Sequence, residues 1–558
     1  MSIWDLGYTA INNEDASESL FRYLNRNVNN ICFENELIYY VVLYKQLSDE
    51  LEKSLKSHVF NEYYEEYDDS VPFVSELLED NLEIPEFNKY LKGYGLDVLG
   101  YYLEPEYYFE ALWGGTETNE DVINNLIDGF NYLLESSQSD IALLNGFISE
   151  YGIEGLENKE NIKEYKEAFK ESNQYDLIQL FKTLFSNIES IIPKEKHKID
   201  IVVDVMELLA GILYADDESC NIDTFNELID WDIQNLTRNY ENFGTVKEIN
   251  ELMSQLVLAE RKLNSSLNSV YDGFLGTGES LLNLNSKIAI ENMVGCEKNE
   301  NIYKLAIINA FINGYSYDKI LKEDSIYNKE ILSETFEVII SQVPFNPKGK
   351  LGIKNRESLE LFENIKFDKN PSKSEWVYIL SLLNNLDDSG IMVNVVSPGS
   401  LFKSTDKLFR QHILEKNYLD TVINLPNGLL KSSNSSMSIL IFKKEKSNED
   451  VLFIDASNDY ESLRGFNRLR DEDIEKIVSS FKSKACIDKY SNLSNLDEIR
   501  KNDYNLNISR YVDTFDEDII KLEDIGEEIN DLKDNLEKTN EKIGKLLMDL
   551  NLNEKLKL

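Results

Sequence analysis

Cysteine, histidine and proline are scarce in this chain of 558 residues, and basic side chains are outnumbered. The four cysteines, Cys32, Cys220, Cys296 and Cys486, lie scattered, without the pairing of a disulfide framework or the spacing of a metal knuckle. They fit a reducing, cytoplasmic setting. The three histidines, His58, His197 and His412, are far apart in sequence, which argues against a histidine-built metal centre; no metal is expected. No apolar run approaches the roughly twenty residues that span a bilayer, so no membrane association is expected. The first residues, MSIWDLGYTAINNEDASES, lack the basic start and apolar block of a secretory signal. Lys and Arg number 57 against 102 Asp and Glu, a net charge of −45. So acidic a chain repels nucleic acid in bulk, and any contact with DNA requires a local basic patch or a basic partner. The same charge also serves solubility.

What is present is enough apolar material, 42% of residues with 11% aromatic, for well-packed interiors. At this length about two to four domains are expected. Residues 1–240 read as a helical N-terminal domain, with apolar positions at three- and four-residue spacing in YDLIQLFKTLFSNIESII and IDIVVDVMELLAGILYA. Within it, NEYYEEYDDS (Asn61 to Ser70) has five acids and no base. The ordinary meaning is a solvated face over an aromatic core; the sharper one is a surface that imitates the phosphate backbone of DNA. From 241 to 490 short aliphatic runs (SVYD, MVGCE, FEVIIS, IMVNVVSP, LDTVINLP, SILIFKK, VLFIDA) alternate with helical stretches. That pattern predicts an α/β domain built on a mostly parallel twisted sheet, with antiparallel pairing at one edge where the links become short. In residues 491–558, Leu522, Ile525, Ile529, Leu532, Leu536, Ile543, Leu546 and Leu550 recur at alternating spacings of three and four, broken only by Thr539. This is the coiled-coil-type seam of a long helix that faces a partner or docks back on its own protein.

The stretch SVYDGFLGTGESLL (Ser269 to Leu282) is a strand, a glycine-broken turn and a helix start. Asp272, Gly273, Phe274, Gly276, Thr277 and Gly278 make a loop whose glycines let the backbone turn sharply and approach a ligand. In an open α/β sheet, ligands sit outside the carboxyl ends of the strands. Glu297 falls at the next strand end, about 20 residues on, where an acid accepts hydrogen bonds from ribose hydroxyls. Asp324 comes before the following strand, placed to bond an exocyclic adenine amine. Glu279, just after the last glycine, repels a pyrophosphate and suits a ligand bearing an ammonium and no phosphate. S-adenosyl-L-methionine is such a ligand. The bland alternative is a glycine turn with surface acids around it.

Here the chain resembles the methyltransferase (modification) subunit of type I restriction–modification systems, the adenine-N6 DNA methylases. NFGTVKEINELMSQL is similar to the segment that precedes the family's cofactor loop. DGFLGTG matches its Asp-Pro-x-x-Gly-Thr-Gly loop, with Gly273 where proline is usual. GCEKNENIYKLAIINAFINGY, the long run from Asp387 to Leu430, SMSILIFKKEK, RLRDEDIEKIVSSF and NDYNLNISRYVD continue the likeness, which covers roughly 240–515. It implies a Rossmann-like S-adenosyl-L-methionine-dependent fold, DNA as substrate, and a separate specificity subunit docked on the C-terminal helix. A restriction subunit or a second methyltransferase copy would complete the assembly.

The family carries Asn-Pro-Pro-Phe or Tyr directly after its fourth strand. The target base leaves the duplex, the asparagine oxygen and the first proline's carbonyl accept hydrogen bonds from its amino group, and the aromatic ring stacks on it. Here FEVIIS runs into Gln342, Val343, Pro344 and Phe345. Pro344 and Phe345 match; Gln342 stands for asparagine and Val343 for the first proline. One extra methylene moves the acceptor by about an ångström, a misplacement worth about a hundredfold in rate. The resemblance therefore implies adenine methylation that is weakened. Its competitor is a catalytically inactive relative acting as a DNA-binding scaffold, a methylation sensor or an acidic mimic of DNA. A slipped register, with Asn346–Pro347 as the motif, would put glycine where an aromatic is needed. Beyond the loop, Lys348, Lys350, Lys354 and Arg356 form a stretch with no acid, suited to phosphates flanking an extruded base or simply to solvent.

Overall fold

The structure, a computed structural model, describes residues 13–29, 31, 35–63, 85–138, 173–210, 219–235, 245–260, 266–326, 331, 333–345, 374–430, 434–513 and 522–549. It divides into two compact units, residues up to Val512 and residues from Asp513 onward.

The first unit opens with helices: α1 (Asn13–Asn27), α2 (Leu37–Tyr63), α3 (Pro85–Val98), α4 (Asn119–Gln138), α5 (Asn173–Phe185), α6 (Lys196–Ala210) and α7 (Ser219–Asn235). Their apolar stripes converge on one core, in which Leu43, Leu47, Phe130, Phe181 and Met206 have no more than 2% of their surface exposed. Buried Asp232 of α7 fastens this bundle by accepting from Ile31 N at 2.7 Å and Tyr39 Oη at 2.8 Å.

Then α8 (Lys247–Glu260) leads into β1 (Ser266–Asp272), α9 (Glu279–Asn285), β2 (Ala289–Cys296), α10 (Glu300–Ile312), β3 (Ile320–Leu321) and β4 (Phe336–Gln342). Asn299 caps α10 by accepting from Asn301 N and Ile302 N at 3.0 and 3.2 Å. There follow α11 (Glu375–Asn384), β5 (Leu386–Val396), α12 (Lys407–Glu415), β6 (Leu419–Asn424), β7 (Ser438–Phe442) and β8 (Val451–Asp455). A small hairpin, β9 (Glu461–Leu463) and β10 (Phe466–Arg468), precedes α13 (Asp471–Ser483) and β11 (Ser491–Ser494).

The main sheet runs β11-β8-β6-β7-β5-β4-β1-β2-β3. Strands β1 to β5 are mutually parallel, and their order reverses between β1 and β4. That reversal opens a crevice at the carboxyl ends. Antiparallel pairing is not confined to an edge. It occurs at the edge, between β11 and β8, and also inside the sheet, where β7 lies between β5 and β6. The sequence SILIF of β7 is compatible with that interior place, since every residue is buried. One face of the sheet meets α8, α9, α10 and α13 and is continuous with the N-terminal core. The other meets α11 and α12. Helix α7 packs on α10, where Asn226 and Asn313 exchange amide hydrogen bonds of 3.1 and 3.0 Å.

The second unit holds α14 (Leu522–Asp549), 28 residues long. Ile529, Leu532, Leu536, Ile543 and Leu546 stand exposed along it, Leu532 at 63% and Leu536 at 62%. Thr539 turns its hydroxyl back to Asn535 O at 2.7 Å, so this break in the apolar series satisfies itself within the helix. Among the described residues, no helix is long and apolar enough to cross a membrane.

Candidate cofactor and base site

At the strand-order reversal lies a cleft of about 930 Å³, part of it open to solvent. The loop after β1 forms its floor. Gly276 (φ 57°) and Gly278 (φ 93°) take left-handed backbone conformations that other residues adopt at a cost. Leu275 N bonds Cys296 O at 3.0 Å, clasping the loop to the end of β2. Gly273, where the resembling family has proline, is crowded. A Cβ there would stand 2.7 Å from Leu382 Cδ2 and 3.0 Å from Tyr271 Oη. Tyr271 is itself held by stacking on Phe336 at 4.7 Å.

The carboxyls predicted from sequence converge on this cleft: Asp272 at the end of β1, Glu297 after β2 and Asp324 after β3. Asp272 Oδ1 accepts from Phe274 N at 2.9 Å and from Ser341 Oγ at 2.6 Å. Burial nonetheless pushes its carboxyl up to about 7. Glu297 accepts from Gly276 N at 3.2 Å and Asn299 N at 2.7 Å, one bond to each oxygen, and burial raises it as well. Asp324 Oδ1 accepts from Ile326 N at 3.3 Å. Glu279 also faces the cleft, bonded by the Thr277 hydroxyl and by Asn309 Nδ2, and burial pushes it up to about 8.

Gly273, Phe274, Gly276, Gln342 and Pro344 line the same cleft. Thr277, Gly278 and Phe345 do not. Thr277 is fully buried, with its hydroxyl on Glu279 and its carbonyl on Asn309 Nδ2 at 2.8 Å. Gly278 serves as the N-cap of α9. Phe345 is half-buried against the main core. Lys348, Lys350, Lys354 and Arg356 lie outside the described residues, as does most of the acidic stretch from Asn61 to Ser70.

Sequence reasoning missed several lining residues. Tyr378 of α11 meets Phe274 edge-to-face at 5.0 Å and walls the cleft. No local pattern marks it, since only the packing of α11 brings it there. Thr245 and Ser280 also line the cleft. Thr245 Oγ donates to Gln342 Oε1 at 3.1 Å, Asn250 Nδ2 donates to Thr245 O at 2.8 Å, and Ser280 Oγ donates to Asn250 Oδ1 at 2.8 Å. At the adjoining position Val343 is fully buried, with its N–H on Val395 O at 3.2 Å.

Among the described residues the lining carries Asp272, Glu279, Glu297, Glu323 and Asp324 against one cation, Lys298. That balance suits a nucleoside bearing a sulfonium and an ammonium, and opposes a polyphosphate. A doubly wound sheet with such a cleft at its reversal, and a polar amide and proline at the end of β4, defines a methyltransferase of the cofactor-binding α/β class. The chain belongs to the N-6 DNA Methylase family, whose model matches residues 221–519. The cofactor of that family is S-adenosyl-L-methionine, and the carboxyl set fits it.

The chain is 24% identical over 486 residues to the type I restriction enzyme MpnII methylase subunit of Mycoplasma pneumoniae, covering 82% of this chain and 84% of that one. It is 26% identical over 395 residues to the MjaVIII methylase subunit of Methanocaldococcus jannaschii, covering 64% and 65%. The crystal structure of a type I restriction-modification system methyltransferase subunit from Streptococcus thermophilus superposes with a TM-score of 0.66. Its sequence identity is 23%, with 90% of this chain and all of that one covered.

Proposed function

We propose that this chain is the modification subunit of a type I restriction–modification assembly, methylating adenine N6 in DNA at a rate lowered by Gln342 in place of asparagine. One observation carries the reading: Asp272, Glu297 and Asp324 line the same cleft as Gln342 and Pro344. Asp272 would hold the ammonium of the cofactor, Glu297 its ribose hydroxyls and Asp324 the amine of its adenine. The bound cofactor supplies an electrophilic methyl group. Gln342 Oε1 and the carbonyl of Val343 would accept from the amino group of an extruded adenine, and Phe345 would turn its ring to the base. Positioning and electrostatics supply the rate, with no proton shuttle of the protein's own. Lys348, Lys350, Lys354 and Arg356 would meet the flanking phosphates.

A specificity subunit would supply sequence readout and dock on the apolar stripe of α14. A restriction subunit or a second copy of the chain would join it. Calorimetry with S-adenosyl-L-methionine tests the cleft. Transfer of a tritiated methyl group to DNA, with the co-purifying subunits present, tests the chemistry. Uptake with slow transfer supports the reading, whereas no uptake sinks it. Uptake without transfer favours a second reading, a non-catalytic DNA-binding scaffold or methylation sensor, for which the replaced Asn-Pro pair speaks.

A further inference from the structure

Glutamine at the end of β4 carries one more rotatable bond than asparagine, so its acceptor oxygen sweeps a larger volume unless something fixes it. In the family's motif the proline ring stiffens the next residue; valine has no such ring. Both losses are met by hydrogen bonds. The backbone at Val343 is held by the sheet, through its N–H on Val395 O. The Gln342 oxygen is held by the hydroxyl of Thr245, whose residue is 5% exposed. Thr245 is not a free-swinging partner. Its carbonyl is gripped by Asn250 of α8, and Asn250 is gripped in turn by Ser280 in the first turn of α9. This chain of four residues, passing through the main chain of Thr245, runs from the first turn of α9 to the end of β4.

We propose that Thr245 is a positioning residue: its hydroxyl pins the amide of Gln342 and restores the fixed acceptor that the altered motif would otherwise lose. This rests on the reading of the cleft as a methyl-transfer site. A carbonyl oxygen has two lone pairs. Thr245 uses one, which leaves the other for the amino group of the base. The glutamine is thereby part of a rebuilt motif in which the Thr245 hydroxyl, just ahead of α8, fixes the longer amide while the sheet bond of Val343 stands in for the missing ring.

The test uses the full chain in complex with its co-purifying subunits, DNA, and S-adenosyl-L-methionine carrying a tritiated methyl group. Thr245→Val keeps the shape and removes the hydroxyl; it is expected to lower kcat about a hundredfold while cofactor affinity by calorimetry stays at the parental value. Thr245→Ser, which retains the hydroxyl, is expected to stay near the parent. Adding Thr245→Val to Gln342→Ala is expected to cost nothing further, since the group being positioned is already gone. Parental kcat in Thr245→Val, multiplying losses in the double variant, or a fall in cofactor affinity matching the fall in kcat would each overturn the inference. If the parent shows no turnover, the proposed function fails first. Crystal structures of the parent and of Thr245→Val then decide the inference: one Gln342 rotamer on Thr245 becoming several supports it, and a parental Gln342 turned away from Thr245 removes it.

Discussion

Ser341 Oγ donates a 2.6 Å hydrogen bond to Asp272 Oδ1, tying the end of β4 to the end of β1 where the strand order reverses. The loop after β1 and the loop after β4, which both line the cleft, are therefore tied by a buried hydrogen bond. Asp272→Asn keeps the shape and removes the charge that would meet an ammonium. It is expected to raise the dissociation constant for S-adenosyl-L-methionine about 10- to 100-fold, the range of a charge-assisted hydrogen bond. Unchanged affinity by calorimetry would take Asp272 out of the cofactor site.

Acidity in the cleft makes both stability and affinity depend on pH, with opposite signs. Burial raises Asp272 to about 7, Glu279 to about 8 and Asp230 of α7 to about 6. Between roughly pH 4 and 8 the folded chain holds protons that the unfolded chain has released, so these groups contribute a stability that falls as pH rises through that window. A bound ammonium favours ionised Asp272, so affinity for the cofactor is expected to rise toward about pH 7, level off, and be accompanied by proton release. Calorimetry in buffers of different ionisation enthalpy reads that release. A dissociation constant flat from about pH 5.5 to 8 contradicts it.

Restoring the family's proline is expected to do harm. Val343→Pro deletes the hydrogen bond to Val395 O and forces a ring into a fully buried position, at a cost of about 1–3 kcal/mol seen as a lower urea midpoint. Combining it with Gln342→Asn is expected to give no more transfer than Gln342→Asn alone. A double variant that outperforms both the parent and the single variant would show that the proline is worth more than the sheet bond.

The stripe on α14 predicts a separable loss. Leu532→Asp with Leu536→Asp changes residues already 63% and 62% exposed, so the melting temperature and cofactor affinity of the chain are expected to stay as they were. Co-purification of the partner subunit should disappear. Pull-down from the native host with both substitutions present checks this, and full retention would move the docking surface elsewhere.

The parallel half of the sheet was legible because its strands are short aliphatic runs separated by helical periods, and the loop from Asp272 to Gly278 announced itself through its glycines. Glu297 was legible as an acid at a strand end about 20 residues past that loop, and Asp324 as an acid ahead of the next strand. The interior place of β7 carries no local mark: an all-apolar run says that both faces are covered but not which strands flank it. Tyr378 and Thr245 enter the cleft through packing of distant segments, 104 and 27 residues from Phe274 and Asp272 by the numbering, and no periodicity encodes that. Thr277 and Gly278 belonged to the motif by spacing, yet one is turned inward and the other caps a helix.

Asn226 and Asn313 each give and take an amide hydrogen bond, so a fragment that started at α8 would leave Asn313 without that exchange and α10 stripped of its cover. The family match begins at residue 221, inside α7. The smallest portable piece of this architecture thus includes a helix that does not line the cleft. Chimeras that swap helical regions between relatives should be joined ahead of α7, because a joint behind it would separate two halves of one amide pair.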